Sequence, residues 1–431
     1  MKVNIITLGC SKNTVDSENL AGALSTAGAE VFFDRQRNDC DVVIVNTCGF
    51  IGDAKEESVN TILQQVGVKQ RGRKKRLLIA VGCLVERYKA ELQKELPDVD
   101  AWFGVHEWKE IAEYVRGQRS EVRGRLKRLQ STPSHYAYLK ISEGCNRSCS
   151  YCAIPLIRGR HVSRPMEEIV AEAKGLVKSG VKELLVIAQD TTFYGLDLYG
   201  ERRLAQLLDR LATESGAEWI RLHYTYPASF PIEVLDVMAR HDNICKYLDI
   251  PLQHINTRLL ASMQRNIDRE ATLRLIETIR QKMPDITLRT TLIVGYPGET
   301  EEMFEELKSF VAEAKFDRLG AFTYSQEEGT PAEKLGDPLD DEEKQRRLAE
   351  IMELQDAISY EKNQALVGNI VRVLVDRKEG EYYIGRTEAD SPEVDDEVII
   401  SVGKKATPLI GDFCKVRITQ AFEHDVMAEI E

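Results

Sequence analysis

The sequence predicts a multidomain α/β protein: a doubly wound parallel sheet, then a partial (β/α)6 barrel, then a small antiparallel β-barrel of OB-like kind. Three observations carry this. Apolar runs alternate with helix-like stretches from the first residues, a second such rhythm begins near Ser134, and after about Leu366 the texture changes to short strands separated by turn residues. A chain of 431 residues holds about three domains at roughly 150 residues each. The expected division is 1–118, a linker over 119–133, 134–363 and 364–431.

In the first segment the runs 4–8, 41–46 and 76–81 look like buried parallel strands. Helix-like stretches lie between them, Ser17–Ala27 and Lys55–Val66 among them. Each run is followed within two residues by a cysteine: Cys10, Cys48 and Cys83. In a doubly wound sheet, ligands sit in the crevice beyond the carboxyl ends of the strands, so these three thiols should converge. A single cysteine ending a strand is an ordinary core residue; three in equivalent topological positions point to an iron–sulfur cluster with three protein thiolates.

The second segment offers strand-like runs Tyr136–Ile141, Glu183–Ala188, Trp219–Tyr224, Tyr247–Ile250, Thr287–Val294 and Leu319–Tyr324. Helical stretches Pro165–Ser179, Arg203–Glu214, Pro231–Arg240, Arg269–Lys282 and Glu301–Ala314 alternate with them. Such a barrel gathers its chemistry at the carboxyl ends of its strands. The loop after the first strand contains Cys145-Asn-Arg-Ser-Cys149-Ser-Tyr-Cys152. Three thiolates at this spacing can share one four-iron cluster and leave one iron free to chelate the amino and carboxylate groups of a small molecule. A zinc knuckle would pair C-x2-C with a second such pair. Gln189, Gln253 and Gly295 end other strands and are candidate cofactor contacts, whereas His223 and His254 read as core or rim histidines. Cys40, Cys245 and Cys414 read as core.

A charged helix over Asp340–Leu366 leads to the runs Ile370–Val375, Tyr382–Arg386, Glu397–Ile400 and Phe413–Ile418. OB-like barrels often bind polymers, but residues 364–431 carry 8 Lys+Arg against 14 Asp+Glu, the wrong sign for a phosphate backbone. An acidic face suits a basic protein, and direct nucleic-acid binding is not expected. The basic stretches Lys69–Arg76 and Arg119–Arg128 lack interleaved aromatic residues and read as solvated loops. With no apolar run of 18 residues and no signal-like start, the expected location is the cytoplasm, without a membrane partner. Nine cysteines in such a chain are read as reduced thiols and metal ligands.

The C-x3-C-x2-C loop, with Tyr151 just before its last cysteine, resembles that of the radical S-adenosylmethionine enzymes. From end to end the layout resembles the methylthiotransferase family, whose carboxy-terminal module is called TRAM. The stretches Leu8-Gly-Cys10-Ser-Lys-Asn13, Asn46-Thr-Cys48-Gly-Phe-Ile51 and Gln189-Asp-Thr-Thr-Phe-Tyr-Gly-Leu-Asp197 resemble the branch that modifies a protein. The resemblance implies two 4Fe–4S clusters and S-adenosylmethionine. Cys145, Cys149 and Cys152 would ligate the radical-generating cluster, Cys10, Cys48 and Cys83 an auxiliary, sulfur-supplying one, and Tyr151 would lie beside the cofactor. The implied reaction is β-methylthiolation of one aspartate of ribosomal protein S-twelve, free or in the small ribosomal subunit, with an electron donor protein as a further partner. A tRNA adenosine methylthiotransferase and a non-catalytic iron–sulfur carrier are the alternatives. Because a carbon radical is short-lived, sulfur must wait beside it. The crevice should therefore dock over the barrel opening, with the acidic module flanking the substrate entrance.

Overall fold

Strands β1 (Lys2–Thr7), β2 (Glu30–Phe33), β3 (Val42–Thr47), β4 (Leu77–Gly82) and β5 (Ala101–Phe103) form one parallel sheet in the order β2-β1-β3-β4-β5. The computed structural model describes residues 1–36, 39–72, 76–117, 128–402 and 407–431. Most of the expected linker, including nearly all of Arg119–Arg128, and the centre of the basic stretch Lys69–Arg76 lie outside the described residues. Every residue of β3 is buried, because helices cover both faces of the sheet, and this is why its sequence is a continuous apolar run. Helices Ser11–Thr26 and Trp108–Arg116 pack on one face, Gly52–Arg71 and Cys83–Glu95 on the other.

The second sheet contains β6 (Tyr136–Lys140), β9 (Glu183–Ile187), β10 (Trp219–Leu222), β11 (Ile244–Asp249), β12 (Thr287–Val294) and β13 (Arg318–Thr323), after a short ribbon of β7 (Ser142–Glu143) and β8 (Val162–Ser163). Its order, β13-β12-β11-β10-β9-β6, is sequential and parallel, which makes it an open six-stranded barrel. The outward residues, such as Leu139, Leu184, Ile220, Leu248 and Leu288, pack with the covering helices in the largest apolar core. The third sheet comprises β14 (Ile370–Glu379), β15 (Tyr382–Arg386), β16 (Glu397–Ser401), β17 (Phe413–Ala421) and β18 (Asp425–Ile430) and is a closed barrel. Its pairings are antiparallel except for the one between β16 and β18, which is parallel. Among the described residues, no helix is long and apolar enough to cross a membrane.

The acidic module does not flank the barrel mouth. Its loop between β15 and β16 enters the barrel from the amino-terminal halves of the strands, opposite the end that carries the cysteine loop. Inside, Arg289 meets Asp395 at 3.1 Å, Arg318 meets Asp390 and Asp396, and the hydroxyls of Tyr136 and Tyr138 donate to Glu393. Arg386 of β15 reaches back to Glu183, which also accepts from Arg221, each at 2.8 Å. Asp376 and Asp412 pair with His135 and Lys182 of the barrel. Much of the acid that looked available to a basic partner is therefore neutralised within the chain.

Candidate active site

Three strand ends bring Cys10, Cys48 and Cys83 together, as their topological equivalence predicted. Cys10 precedes the helix Ser11–Thr26, Cys48 follows β3, and Cys83 opens the helix after β4. Two glycines make the approach possible. Gly9 has φ +86°, and a Cβ there would lie 2.8 Å from the Cys48 sulfur; Gly82 has φ +98°, and a Cβ would lie 2.4 Å from Asn46 Oδ1. Asn13 ties the strand ends together, its Nδ2 donating to the carbonyls of Leu8 and Thr47 at 2.8 and 3.1 Å, with the Cys83 sulfur 3.6 Å from its Oδ1. Burial pushes the Cys83 thiol up to about 12, with Cys10 and Cys48 adding to the rise while Arg158 opposes it. Burial raises Cys48 as well, again helped by Cys10. Cys10 thus opposes ionisation of both Cys48 and Cys83, and Cys48 that of Cys83, a situation that a shared cationic ligand would relieve.

The second trio lies in the loop after β7. Gly144 (φ +75°) lets the backbone pass Arg160, whose carbonyl would be 2.2 Å from a Cβ at that position. Arg265 donates from Nη1 to the Cys149 sulfur at 3.5 Å and to the Tyr151 hydroxyl at 3.4 Å. The ring of Tyr226 is sandwiched between the guanidiniums of Arg147 and Arg265, 3.9 and 4.3 Å from its centroid. Burial pushes Cys145 up to about 11 and Cys152 to about 12, with Cys149 contributing to both. Among the described residues, no three His, Cys, Asp or Glu side chains close around the position of a single metal ion.

The two trios meet through Arg158, which ends the helix Ile154–Arg158 just after Cys152. Its Nη2 lies 3.4 Å from the Cys83 sulfur and 2.6 Å from Asn13 Oδ1, while Nη1 reaches Asp16 at 2.7 Å and Glu143 at 3.1 Å. Cys83 packs against Ala153 and Ile157 of the same helix. Lys55 and Arg87 reach Glu327 from the other side of the crevice at 2.9 and 2.7 Å. The crevice sits over the barrel mouth, as expected.

Gln189 donates to Glu143 at 2.6 Å, and its Oε1 is buried without a partner, as is Arg265 Nε. Gln253 is a buried residue at φ +76°, a conformation that non-glycine residues adopt at an energetic cost. Gly295 donates its amide to Glu299 at 2.9 Å, and its missing side chain makes room for the stem of Lys344. Tyr151 is half-buried between the cysteine loop and Arg265. His223 and His254 are buried, the first against Ser391 and the second with its Nδ1 accepting from the Asn256 amide. Cys40 and Cys245 are buried and Cys414 partly so. Sequence reasoning missed Arg147, Arg158 and Arg265; no local signal marks them, because each acts on a partner brought in by the fold.

Comparison with known proteins adds family matches over most of the chain. The radical SAM superfamily matches residues 139–311, an uncharacterised family designated UPF0004 matches 2–104, and the TRAM domain matches 367–430. A protein of Cytophaga hutchinsonii named ribosomal protein uS12 methylthiotransferase RimO is 53% identical over 430 residues, covering 100% of this chain and 98% of its own. One of the same name from Bacteroides thetaiotaomicron is 52% identical, with the same coverage. Among solved structures, the radical S-adenosylmethionine methyltransferase TsrM of Kitasatospora setae aligns with a TM-score of 0.57 at 16% identity, covering 77% of this chain and 76% of that one, a likeness of fold.

Proposed function

Since the chain belongs to the RimO family of ribosomal protein uS12 methylthiotransferases, a radical S-adenosylmethionine family, we propose that it inserts a methylthio group at the β-carbon of an aspartate of uS12. Cys145, Cys149 and Cys152 would hold a 4Fe–4S cluster, and Cys10, Cys48 and Cys83 a second. Soft thiolates in threes suit such clusters, and the buried, unpartnered Gln189 Oε1 and Arg265 Nε leave polar capacity for a bound nucleoside. Tyr151, Gln189 and Gln253 are the proposed cofactor contacts, together with the backbone at Gly295. When bound, the clusters and S-adenosylmethionine supply the radical and the sulfur. The observation that carries this reading is the meeting of two thiol trios across Arg158.

The protein's own residues bind and orient. Arg265 and Arg158 each direct an N–H at a cysteine sulfur, and Arg158 favours the thiolate form of Cys83. Tyr226, Ala228 and Ile267 pack around Cys149 and exclude water from one trio; Ala153 and Ile157 do the same at Cys83. Glu143 is fixed by Lys140 and Arg158, so it orients Gln189 at the mouth. With both trios held in one frame, delivery of sulfur would be effectively intramolecular.

The test is an iron and sulfide count on anaerobically reconstituted protein, followed by mass analysis of uS12 and of tRNA nucleosides after turnover. Two clusters per chain and a gain of one sulfur and one methylene on uS12 are expected. The same mark on tRNA, or failure to form 5′-deoxyadenosine on reduction, would overturn the reading.

A further inference from the structure

The crevice contains a buried cation that rests on an aromatic ring. Lys12, two residues beyond Cys10, is only 7% exposed, and its Nζ lies 2.9 Å from the centroid of the Tyr224 ring. Among the described residues no carboxylate pairs with it. Asp16, one turn along the same helix, is engaged by Lys140 and Arg158, and Glu143 by Lys140, Arg158 and Gln189. Buried ammonium groups are ordinarily paired, and a ring face replaces only part of the lost hydration.

The ring beneath it is held in place. Tyr224 adopts φ +56°, unusual for a bulky residue, with its amide donating to Asp249 at 2.9 Å and its carbonyl accepting from the Thr191 amide at 3.1 Å. Its hydroxyl lies 3.5 Å from Ser11 Oγ, so the first turn after Cys10 rests on the rim of the barrel. Cys10 itself is exposed. An anionic group entering over Cys10 therefore meets an ammonium already positioned and short of a partner.

We propose that Lys12, seated on Tyr224, binds the side-chain carboxylate of the substrate aspartate and so selects an acidic acceptor. The proposal rests on the protein-directed reading given above. Its chemical logic is short: the carboxylate is bonded directly to the β-carbon, so anchoring one places the other within a bond length. An asparagine at that position keeps the shape and loses the charge. A charge-assisted hydrogen bond in a dry site makes a difference of about tenfold or more in affinity.

The experiment measures dissociation constants of the full chain for uS12 carrying either the native aspartate or asparagine at the modified position. The wild-type chain is expected to prefer aspartate by about tenfold or more, Lys12→Met to bind both forms alike, and Lys12→Arg to retain the preference. Lys12→Met with an intact preference would overturn the proposal. So would a rise in its KM for S-adenosylmethionine with the preference unchanged, which would assign the ammonium to the cofactor. Should Lys12→Met fail to fold, the wild-type pair of measurements still decides, because equal affinity for the two forms refutes an aspartate-reading cation. Binding and modification of uS12 without that preference would sink this proposal alone; no binding and no modification would sink the protein-directed reading with it.

Discussion

Glu183 offers the sharpest test of how the third module is joined to the barrel. It is fully buried at the start of β9 and accepts from Arg221 and Arg386, each at 2.8 Å. Glu183→Ala leaves two guanidiniums in the interior, with Asp376 remaining for one of them. Breaking a buried pair in this way costs about 3–5 kcal/mol. At roughly 2–4 °C per kcal/mol for a domain of this size, the thermal midpoint should fall by about 6–20 °C. Burial pushes the Glu183 carboxyl up and the two guanidiniums more than reverse it, so its ionisation is held below the ordinary carboxylate range. The stabilisation is therefore full above about pH 4.5 and is lost as pH falls through the lowered value. Differential scanning calorimetry of the full chain from neutrality into acid measures both effects. Replacing Glu183 and Arg221 together by Leu and Met, which leaves Arg386 paired with Asp376, should recover much of the loss, since the penalty comes from uncompensated charge. A single variant melting within about 2 °C of wild type, or a double variant no better than the single, would refute the reasoning.

Three further outcomes follow from the same geometry. Burial pushes the Asp396 carboxyl up to about 6, against Arg318 and with help from Asp390. Folding thus takes up a proton between about pH 4 and 6, and ionised Asp396 costs up to about 3 kcal/mol above that window; Asp396→Asn should raise the midpoint at pH 7.5 and not at pH 4. Gly82→Ala should lower both thermal stability and auxiliary iron content, because φ +98° and contacts of 2.4 and 2.7 Å with Asn46 and Thr47 leave no room for a methyl group. Cys48→Ala should reduce the iron count to that of one cluster and abolish methylthio transfer while 5′-deoxyadenosine still forms; loss of that product with the first cluster loaded would contradict the division of roles.

The barrel was largely legible in the sequence because its strands and helices carry clean apolar patterns: Arg269–Lys282, Thr287–Val294 and Glu301–Ala314 have the bounds that periodicity predicts. The first helix begins at Ser11, six residues before its expected start, because its opening turns bury Lys12 and Asn13 against another domain and show no apolar rhythm. Strands β2 and β5 escaped notice as short edge strands, partly exposed. The cysteines could be found from their spacing and their positions at strand ends. Arg158, Arg265 and the insertion of the acidic loop could not, since each depends on contacts between residues far apart in the chain.

That insertion changes what the charge of this molecule means. Arg289 and Arg318 find their anions in a loop contributed by the last module, so the barrel cannot be trimmed to its catalytic core without exposing bare cations along its axis. The carboxy-terminal module acts as a stopper as much as an appendage. With that end of the shaft filled, the open end of the barrel is the one that carries the cysteine loop.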